Sequence, residues 1–287
     1  MKIAVTTASG NLGSAIVKRL KLEKGSDCVI GIARTPEKAK DLGVEIRKGD
    51  YNSKEDFVSA LQGVDTVLLV SGMDHPDKRI QQHRNVIEAA KEKGVKKIVY
   101  TSIMGSPEGN GFSPIVASNR QTEEDVKNSG LQWAIGRNGI YIEPDLAYID
   151  RYIQEGGIIN CAGEGLCGYT SRYELAYAYS KLLTDDRLKG NTYNLFGEPI
   201  TQSMLTKAIN EAFKTNLIYE NIAVDDFTQR RKKALGEFLG SVIGGIYEGI
   251  RMGSFNGPSD FLAVTGRSHQ SVQEMIHAFM LAVVYAL

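Results

Sequence analysis

The chain has 287 residues, of which 42% are hydrophobic and 24% charged, so it is long enough to bury one large α/β core. Lys and Arg together number 34, as do Asp and Glu, and the formal net charge is zero. Because this balance produces no basic field, we expect neither nucleic acid nor a membrane surface as a partner.

The cysteines and histidines do not show the spacing of a metal site or a disulfide framework. Cys28 lies in an apolar run, and Cys161 and Cys167 form no Cys-x-x-Cys pair. The histidines, which follow no His-Glu-x-x-His pattern, are His75, His83, His269 and His277. We therefore expect no metal and no disulfide, as is typical of a reducing compartment. The N-terminus reads as a strand and not as a signal peptide, and the apolar tail 280–287 is too short to span a membrane, so a cytoplasmic protein is predicted.

Apolar runs and helical periodicities alternate through the first half of the chain. The runs that predict strands lie at 3–5, 28–33, 44–46, 64–70, 97–101 and 131–135. The helical patterns lie at 12–20, in a short segment from 36, and at 52–61, 76–93 and 116–127. Asn52 with Glu55 resembles a capping box at the start of the third pattern. Strands that alternate with helices indicate βαβ units and a parallel, doubly wound sheet.

The rhythm changes past residue 140, where glycines interrupt the pattern. A further strand is predicted near 191–197, and helical patterns fall at 202–213, 224–239 and 270–287. We predict a Rossmann-type domain over 1–150, which the strand near 191–197 rejoins, and a smaller, mostly helical lobe on the substrate side over 151–287.

A glycine-containing turn joins the first strand to the first helix. Backbone N–H groups at a helix N-terminus, aided by the helix dipole, can hold a pyrophosphate, and a glycine lets the backbone approach it. Gly10 can fill that role, and Gly13 can let the helix pack closely on the strand. The residues of this turn that we expect to border the phosphates are Thr7, Ser9, Gly10, Asn11 and Leu12.

The end of the second strand predicts which dinucleotide binds. An acidic residue there favours NAD, because it accepts a hydrogen bond from the ribose 2′-hydroxyl. Here the strand ends with Arg34, whose guanidinium can fork onto a 2′-phosphate, and Lys38 adds a second positive charge nearby. We expect NADP(H) to be preferred over NAD(H).

Several short motifs together resemble a known family. They are the turn at 6–13, the segments 33–38, 49–51, 82–87 and 100–102, Arg137-Asn138-Gly139 with Tyr141, and the stretch 259–267. This combination resembles the atypical short-chain dehydrogenase/reductase proteins, and among them the NmrA-like group that includes type 2 NAD(P)H:quinone oxidoreductases and triphenylmethane reductase.

The resemblance implies a site along the carboxyl edge of the sheet, where ligands of such sheets bind. The positions that it assigns to the cofactor, from the adenine to the nicotinamide ribose, are Asp50, Tyr51, Ser71, Gly72, Thr101 and Ser102. Asn138 and Tyr141 would face the nicotinamide and the acceptor, and we add Met104 and Phe255 to this pocket.

Two positions depart from the pattern of the family. Thr7 replaces the first glycine of the turn, and a β-branched residue is poorly suited to a positive φ. If φ is positive there, cofactor affinity is lowered and Thr7→Gly is expected to tighten NADPH binding. Ile115 and Asn119 occupy the places of the catalytic Tyr and Lys, so no tyrosine can exchange a proton with a substrate oxygen.

These departures leave two functions open. The first is an enzyme that passes hydride from NADPH to a quinone or quinone-like acceptor, which needs no dedicated acid because positioning does most of the catalysis. The alternative is a non-catalytic, NmrA-like dinucleotide sensor. A third hypothesis, a nucleotide-sugar epimerase, is less favoured because Ile115 and Asn119 stand in the places of the catalytic Tyr and Lys. A small-molecule acceptor is the expected partner, and a homodimer is the default expectation for the assembly.

Overall fold

A computed structural model describes residues 1–284, and its central feature is a seven-stranded parallel sheet. The strands are β1 (Ile3–Val5), β2 (Val29–Ala33), β3 (Glu45–Lys48), β4 (Thr66–Val70), β5 (Lys97–Ile103), β6 (Gln132–Asn138) and β10 (Thr192–Leu195). Their spatial order is β3-β2-β1-β4-β5-β6-β10. The strand predicted near 191–197 is confirmed as β10, which pairs in parallel with β6. The predicted α/β class with a doubly wound parallel sheet is confirmed.

Helices cover both faces of this sheet. One face carries α1 (Asn11–Lys24), α7 (Arg172–Thr184) and α11 (Phe261–Thr265), and the other carries α2 (Lys54–Ala60), α3 (Pro76–Glu92) and α4 (Ser113–Lys127). Alternate side chains of β1 belong to different faces of the sheet. Ile3 and Val5 belong to the hydrophobic cluster on the face covered by α1, α7 and α11, and Ala4 belongs to the cluster on the face covered by α2, α3 and α4. All three side chains are buried, as expected for a strand covered on both faces.

The remaining elements form a smaller lobe. Its helices are α5 (Glu143–Ala147), α6 (Ile149–Glu155), α8 (Gln202–Phe213), α9 (Val224–Leu235), α10 (Glu237–Arg251) and α12 (Val272–Val284). Two short parallel pairs complete it, β7 (Ile140–Tyr141) with β9 (Tyr169–Thr170) and β8 (Gly157–Asn160) with β11 (Ile218–Asn221). Within residues 1–284, no helix has the length and apolar character needed to cross a membrane.

The structure corrects several predicted elements. The cap of α2 is Ser53, whose hydroxyl accepts a hydrogen bond from the N–H of Asp56 at 3.1 Å, and not Asn52. The pattern at 224–239 is two helices, because the chain turns at Gly236 with φ of +83° between α9 and α10. Helix α7 was not predicted, although it packs on the sheet. The predicted helix 270–287 is observed as α12, and its last three positions lie outside the described residues.

The helix α1 packs so closely on the backbone that follows β1 that only glycine fits at position 13. A Cβ atom built on Gly13 would lie 2.3 Å from the carbonyl oxygen of Thr7 and 3.1 Å from that of Thr6. Both neighbours are backbone atoms, which cannot rotate away as a side chain does. The expectation that Gly13 permits close packing of helix and strand is confirmed.

We predict that Gly13→Ala destabilises the protein by about 2 kcal/mol or more, because α1 must move away from β1 to accept the methyl group. Thermal unfolding measures this loss. The matched control is Ser14→Ala on the next residue, whose hydroxyl bonds only the Asn11 carbonyl and which should change the stability by less than about 0.5 kcal/mol. A melting temperature unchanged by Gly13→Ala would contradict the packing described here.

Candidate functional site

The turn between β1 and α1 exposes backbone donors at the carboxyl edge of the sheet. Gly10 is the N-cap of α1 in an extended conformation, with φ of −86°, and Ser9, Gly10 and Asn11 are solvent-exposed. The Gly10 N–H donates to the Thr7 carbonyl at 2.8 Å and is therefore used within the turn. In residues 1–284 the N–H groups of Asn11, Leu12 and Gly13 have no hydrogen-bond acceptor. These first-turn donors are the ones that an anion at a helix N-terminus binds.

Thr7 adopts a backbone conformation that favours glycine. Its φ is +51°, and in the described part of the chain Lys214 is the other non-glycine residue with a positive φ. For a β-branched residue this conformation costs about 1–2 kcal/mol. The condition under which we expected Thr7 to weaken cofactor binding is therefore met.

Two cations stand free beside the end of β2. Arg34 directly follows the last residue of the strand, and Lys38 lies in the 3₁₀ helix Pro36–Leu42. Both side chains are exposed, and neither forms an ion pair with any carboxylate of residues 1–284. An Arg and a Lys without protein partners at this position are available to an anionic ligand.

The end of β4 has its backbone donors already occupied. The N–H groups of Val70, Ser71 and Gly72 bond in turn to Thr6 Oγ1 at 2.9 Å, Thr101 Oγ1 at 2.8 Å and His83 Nε2 at 3.0 Å. With these three donors used, the segment can offer a ligand only its carbonyl groups and the Ser71 hydroxyl. The segment at the end of β4 therefore suits the hydroxyl groups of a sugar, which can donate to its acceptors. A phosphate group would find no free N–H donor in the backbone of this segment.

Tyr51 lies against the segment at the end of β4 and bonds to it. Its hydroxyl bonds both Thr6 Oγ1, at 2.7 Å, and the carbonyl of Val70, which ties β1 to β4. Burial raises the pKa of Tyr51 well above its ordinary value, so the phenol stays protonated. The ring lies 3.4 Å from the position of a Cβ atom on Gly72, and only this ring remains available to a ligand. Asp50 is partly committed as well, since its Oδ1 accepts from the N–H of Asn52 at 2.9 Å.

Asn119 and Ile115 lie on α4, and Asn119 is bonded to the β4 edge. The buried Asn119 Oδ1 accepts from the Tyr100 hydroxyl at 2.6 Å and from the Ser71 hydroxyl at 3.0 Å. Its Nδ2 donates to the carbonyl of Ile115 at 2.8 Å. Asn119 thus orients Ser71, but neither position offers an acidic hydroxyl or an ammonium group.

A buried carboxylate holds Ser102 in place. The Ser102 hydroxyl donates to Glu123 Oε1 at 2.6 Å, and Glu123 also pairs with Arg120 at 2.7 Å and with Arg137 at 2.6 Å. Burial would raise the pKa of Glu123, but the hydrogen bond from Arg137 and the charge of Arg120 outweigh it and hold the pKa below its ordinary value. Arg120 further bonds the carbonyl of Ile103 at 2.9 Å, so this charge network fixes the chain that leaves β5.

Three of the four predicted acceptor residues come together past β5 and β6. The Met104 N–H donates to the Asn138 carbonyl at 2.9 Å, and Asn138 Nδ2 lies 3.0 Å from the Tyr141 hydroxyl. Tyr179 of α7 donates to Asn138 Oδ1 at 2.6 Å, which fixes the orientation of the amide. Phe255 is buried, with 1% exposure, in the same hydrophobic cluster as Met104.

Sequence reasoning missed three residues that shape this edge, namely His83, Glu123 and Tyr179. All three are buried polar groups on helices, and each acts on a predicted site residue through a hydrogen bond. A polar residue on the apolar face of a helical pattern was the available signal. Within residues 1–284, no three His, Cys, Asp or Glu side chains form a group that could hold a metal ion, and the three cysteines are free thiols.

The fold and this edge define a class of protein. A doubly wound parallel sheet with free donors at the first helix and free cations after the second strand is the architecture of a dinucleotide-binding domain. The chain belongs to the NAD(P)H-binding family, which it matches over residues 7–185.

Three relatives extend the comparison beyond that domain. Over 236 residues the chain is 32% identical to quinone oxidoreductase 2 of Escherichia coli, a match that covers 80% of this chain and 81% of that protein. The crystal structure of the E. coli enzyme, described as NADPH-dependent and complexed with NADPH, has a TM-score of 0.89 at 28% identity and covers 97% of this chain and 99% of that one.

Triphenylmethane reductase of Citrobacter sp., complexed with NADP(H), gives a TM-score of 0.88 at 29% identity and covers 97% of this chain and all of that one (100%). An NmrA-like family domain-containing oxidoreductase of Aspergillus flavus is 28% identical over 235 residues, which are 79% of this chain and 76% of that protein. The resemblance to the NmrA-like group is thereby confirmed.

We predict that Thr7→Gly tightens NADPH binding several-fold and raises the melting temperature. Glycine adopts φ of +51° without strain, and this gain exceeds the roughly 0.5–1 kcal/mol that its extra freedom in the unfolded chain costs, so the melting temperature rises. Binding tightens because removal of the Thr7 side chain reduces the bulk beside the expected phosphate position. Calorimetric titration and thermal unfolding measure the two effects. The control Thr7→Ala keeps a Cβ atom at the strained position and should gain less than glycine. An unchanged or weaker affinity of Thr7→Gly would contradict this account.

Proposed function

We propose that this protein is an NADPH-dependent oxidoreductase whose acceptor is a quinone or a quinone-like molecule. The observation that carries the proposal is the order of chemical groups along one sheet edge. Free cations follow β2, free N–H donors open α1, and acceptor groups end β4. This order matches the anionic and hydroxylic parts of a dinucleotide phosphate. The similarity to an NADPH-dependent quinone oxidoreductase and to triphenylmethane reductase supports the reaction class.

Each stretch of the edge takes one part of the cofactor. Arg34 and Lys38 would hold the 2′-phosphate, and the N–H groups of Asn11 and Leu12 would hold the diphosphate with the α1 dipole behind them. The preference for NADP(H) over NAD(H) rests on these two cations. The Ser71 hydroxyl donates its proton to Asn119, so in this orientation it would accept a hydrogen bond from a ribose hydroxyl.

The bound nicotinamide would supply the hydride, and the protein would hold the nicotinamide and the acceptor in position. Thr101 and Ser102 are both buried and fixed at the end of β5, so they would define where the nicotinamide ribose stops. Ile115 and Asn119 carry no acidic hydroxyl and no ammonium. We therefore infer that water protonates the reduced oxygens of the acceptor, and that the chain accelerates the reaction mainly by orientation.

Met104, Asn138 and Tyr141 would form the acceptor side of the pocket. The Asn138 amide is held between the hydroxyls of Tyr179 and Tyr141, so its orientation is set before a ligand arrives. Burial raises the pKa of Tyr141, which therefore stays a neutral hydrogen-bonding group. Phe255 would support the pocket by packing against Gly105 of the β5–α4 segment, since a Cβ atom on Gly105 would lie 3.5 Å from its ring.

A second candidate is a non-catalytic dinucleotide sensor. The strained Thr7 in the phosphate turn favours it, because a sensor needs only reversible binding, and so does the missing Tyr–Lys pair. The similarity to the two reductases favours the enzyme. The cytoplasmic location and the homodimer stay predictions.

We predict that the purified protein oxidises NADPH in the presence of benzoquinone or menadione. The reaction is measured as the loss of absorbance of the reduced nicotinamide. The control omits the acceptor, and no absorbance should then be lost. Tight NADPH binding without turnover on either quinone would contradict the enzyme and favour the sensor.

We predict that Arg34→Ala weakens NADPH binding by roughly ten- to hundredfold, as expected for a lost charge-assisted hydrogen bond to phosphate. NADH binding should change by less than about twofold, because NADH lacks the 2′-phosphate. Calorimetric titration with both nucleotides measures this. Lys91→Ala is the control, since Lys91 is an exposed cation in the last turn of α3, at the opposite end of the strands. Equal losses for both nucleotides would contradict the assignment.

A further inference from the structure

His83 is a fully buried histidine that bonds directly to the end of β4. It lies on α3 beneath the Ser71–Gly72 segment, and its Nε2 accepts the N–H of Gly72 at 3.0 Å. Its Nδ1 lies 2.9 Å from the hydroxyl of Thr122 on α4. That hydroxyl donates its own proton to the carbonyl of Ser118 at 3.1 Å, so it must accept from Nδ1. The two partners therefore fix the neutral tautomer that carries its proton on Nδ1.

The surroundings of the ring keep it neutral. Tyr51 and Tyr100 pack against it edge-on, with ring centroids 5.9 Å and 5.6 Å away. The ionisable groups that face it are these two phenols, from the segment after β3 and from β5, and Arg79 on its own helix. Burial, and then the positive charge of Arg79, lowers the pKa of His83 to about 3. The Nε2 lone pair thus remains available to Gly72 near neutral pH.

We propose that His83 is a positioning residue that holds the Gly72 amide and so directs the acceptor groups of Ser71 and Gly72 towards the ribose of the bound dinucleotide. This inference rests on the proposed function for the identity of the ligand. The His83 side chain touches no ligand itself. It acts through the backbone of Gly72, as Thr101 acts on the N–H of Ser71.

Packing alone does not require a histidine here. An aromatic ring of similar size would fill the space between Tyr51 and Tyr100, but it would leave the Gly72 N–H without an acceptor. A buried donor without a partner is costly, and the segment would rotate to satisfy it with water. Rotation of that peptide would turn the acceptors of Ser71 and Gly72 away from the ligand. The bond from Nε2 therefore has a consequence for binding that the ring's packing does not have.

Two substitutions separate the hydrogen bond from the packing. His83→Phe keeps an aromatic ring between the two tyrosines and removes the acceptor, whereas His83→Gln loses the ring and offers an amide oxygen at the place of Nε2. We expect the dissociation constant for NADPH, measured by calorimetry, to rise roughly tenfold in His83→Phe and less than threefold in His83→Gln. Melting temperatures measured alongside should not follow that order. His277→Gln, on an exposed histidine of α12, is the control and should bind as the parent does.

Nitrogen NMR of the protein labelled in its histidines tests the hydrogen bond without any nucleotide. We expect His83 to show a protonated Nδ1 and an unprotonated Nε2 that do not titrate between pH 5 and pH 8. A ring that titrates in this range, or equal NADPH affinities of the Phe and Gln variants, would overturn the positioning role alone. A parent protein that binds neither NADPH nor NADH would instead overturn the proposed function, and the positioning role with it.

Discussion

The contact between α1 and the turn that follows β1 is the constraint on which the site depends. Gly13 brings the helix so close that the Thr7 carbonyl occupies the space of a Cβ atom, and the chain must reverse direction within a few residues. Thr7 adopts a positive φ in that turn, and beyond it the N–H groups of Asn11 and Leu12 have no acceptor within residues 1–284. A helix set further from the strand would not present its N-terminus at the point where the parallel strands end.

Along the carboxyl edge of the sheet, the successive segments differ in the hydrogen-bonding groups that they offer to a ligand. The chain after β2 offers cations, the turn after β1 offers donors, and the segment after β4 has its donors taken by Thr6, Thr101 and His83. A dinucleotide phosphate has a complementary order of phosphates and sugar hydroxyls. The division is set by side chains beneath the edge, so the buried polar groups determine which atoms of the exposed backbone a ligand meets.

The strands, the helices of the first half and the glycine-containing turn between β1 and α1 could be predicted because their signals are local. Apolar runs, helical spacing and a glycine between them need no knowledge of distant contacts. Helix α7 was missed because its tyrosines and small residues give a weak amphipathic pattern, although it is buried against the sheet. The place of Phe255 at the acceptor pocket stays a prediction, because the aromatic type alone does not distinguish a pocket wall from the lobe core. The role of His83 depends on residues 11 and 39 positions away, Gly72 and Thr122, so no local pattern contains it.

Hydrogen exchange with and without NADPH is the most direct test of the turn between β1 and α1, since it reports on the backbone donors themselves. We predict that saturating NADPH slows the exchange of the N–H groups at 11–13 and leaves β11, a strand of the smaller lobe, unchanged. The N–H groups of Ser71 and Gly72 should already be protected in the free protein, because Thr101 and His83 bond them. Unaltered exchange at 11–13 in a protein saturated with NADPH would contradict the account.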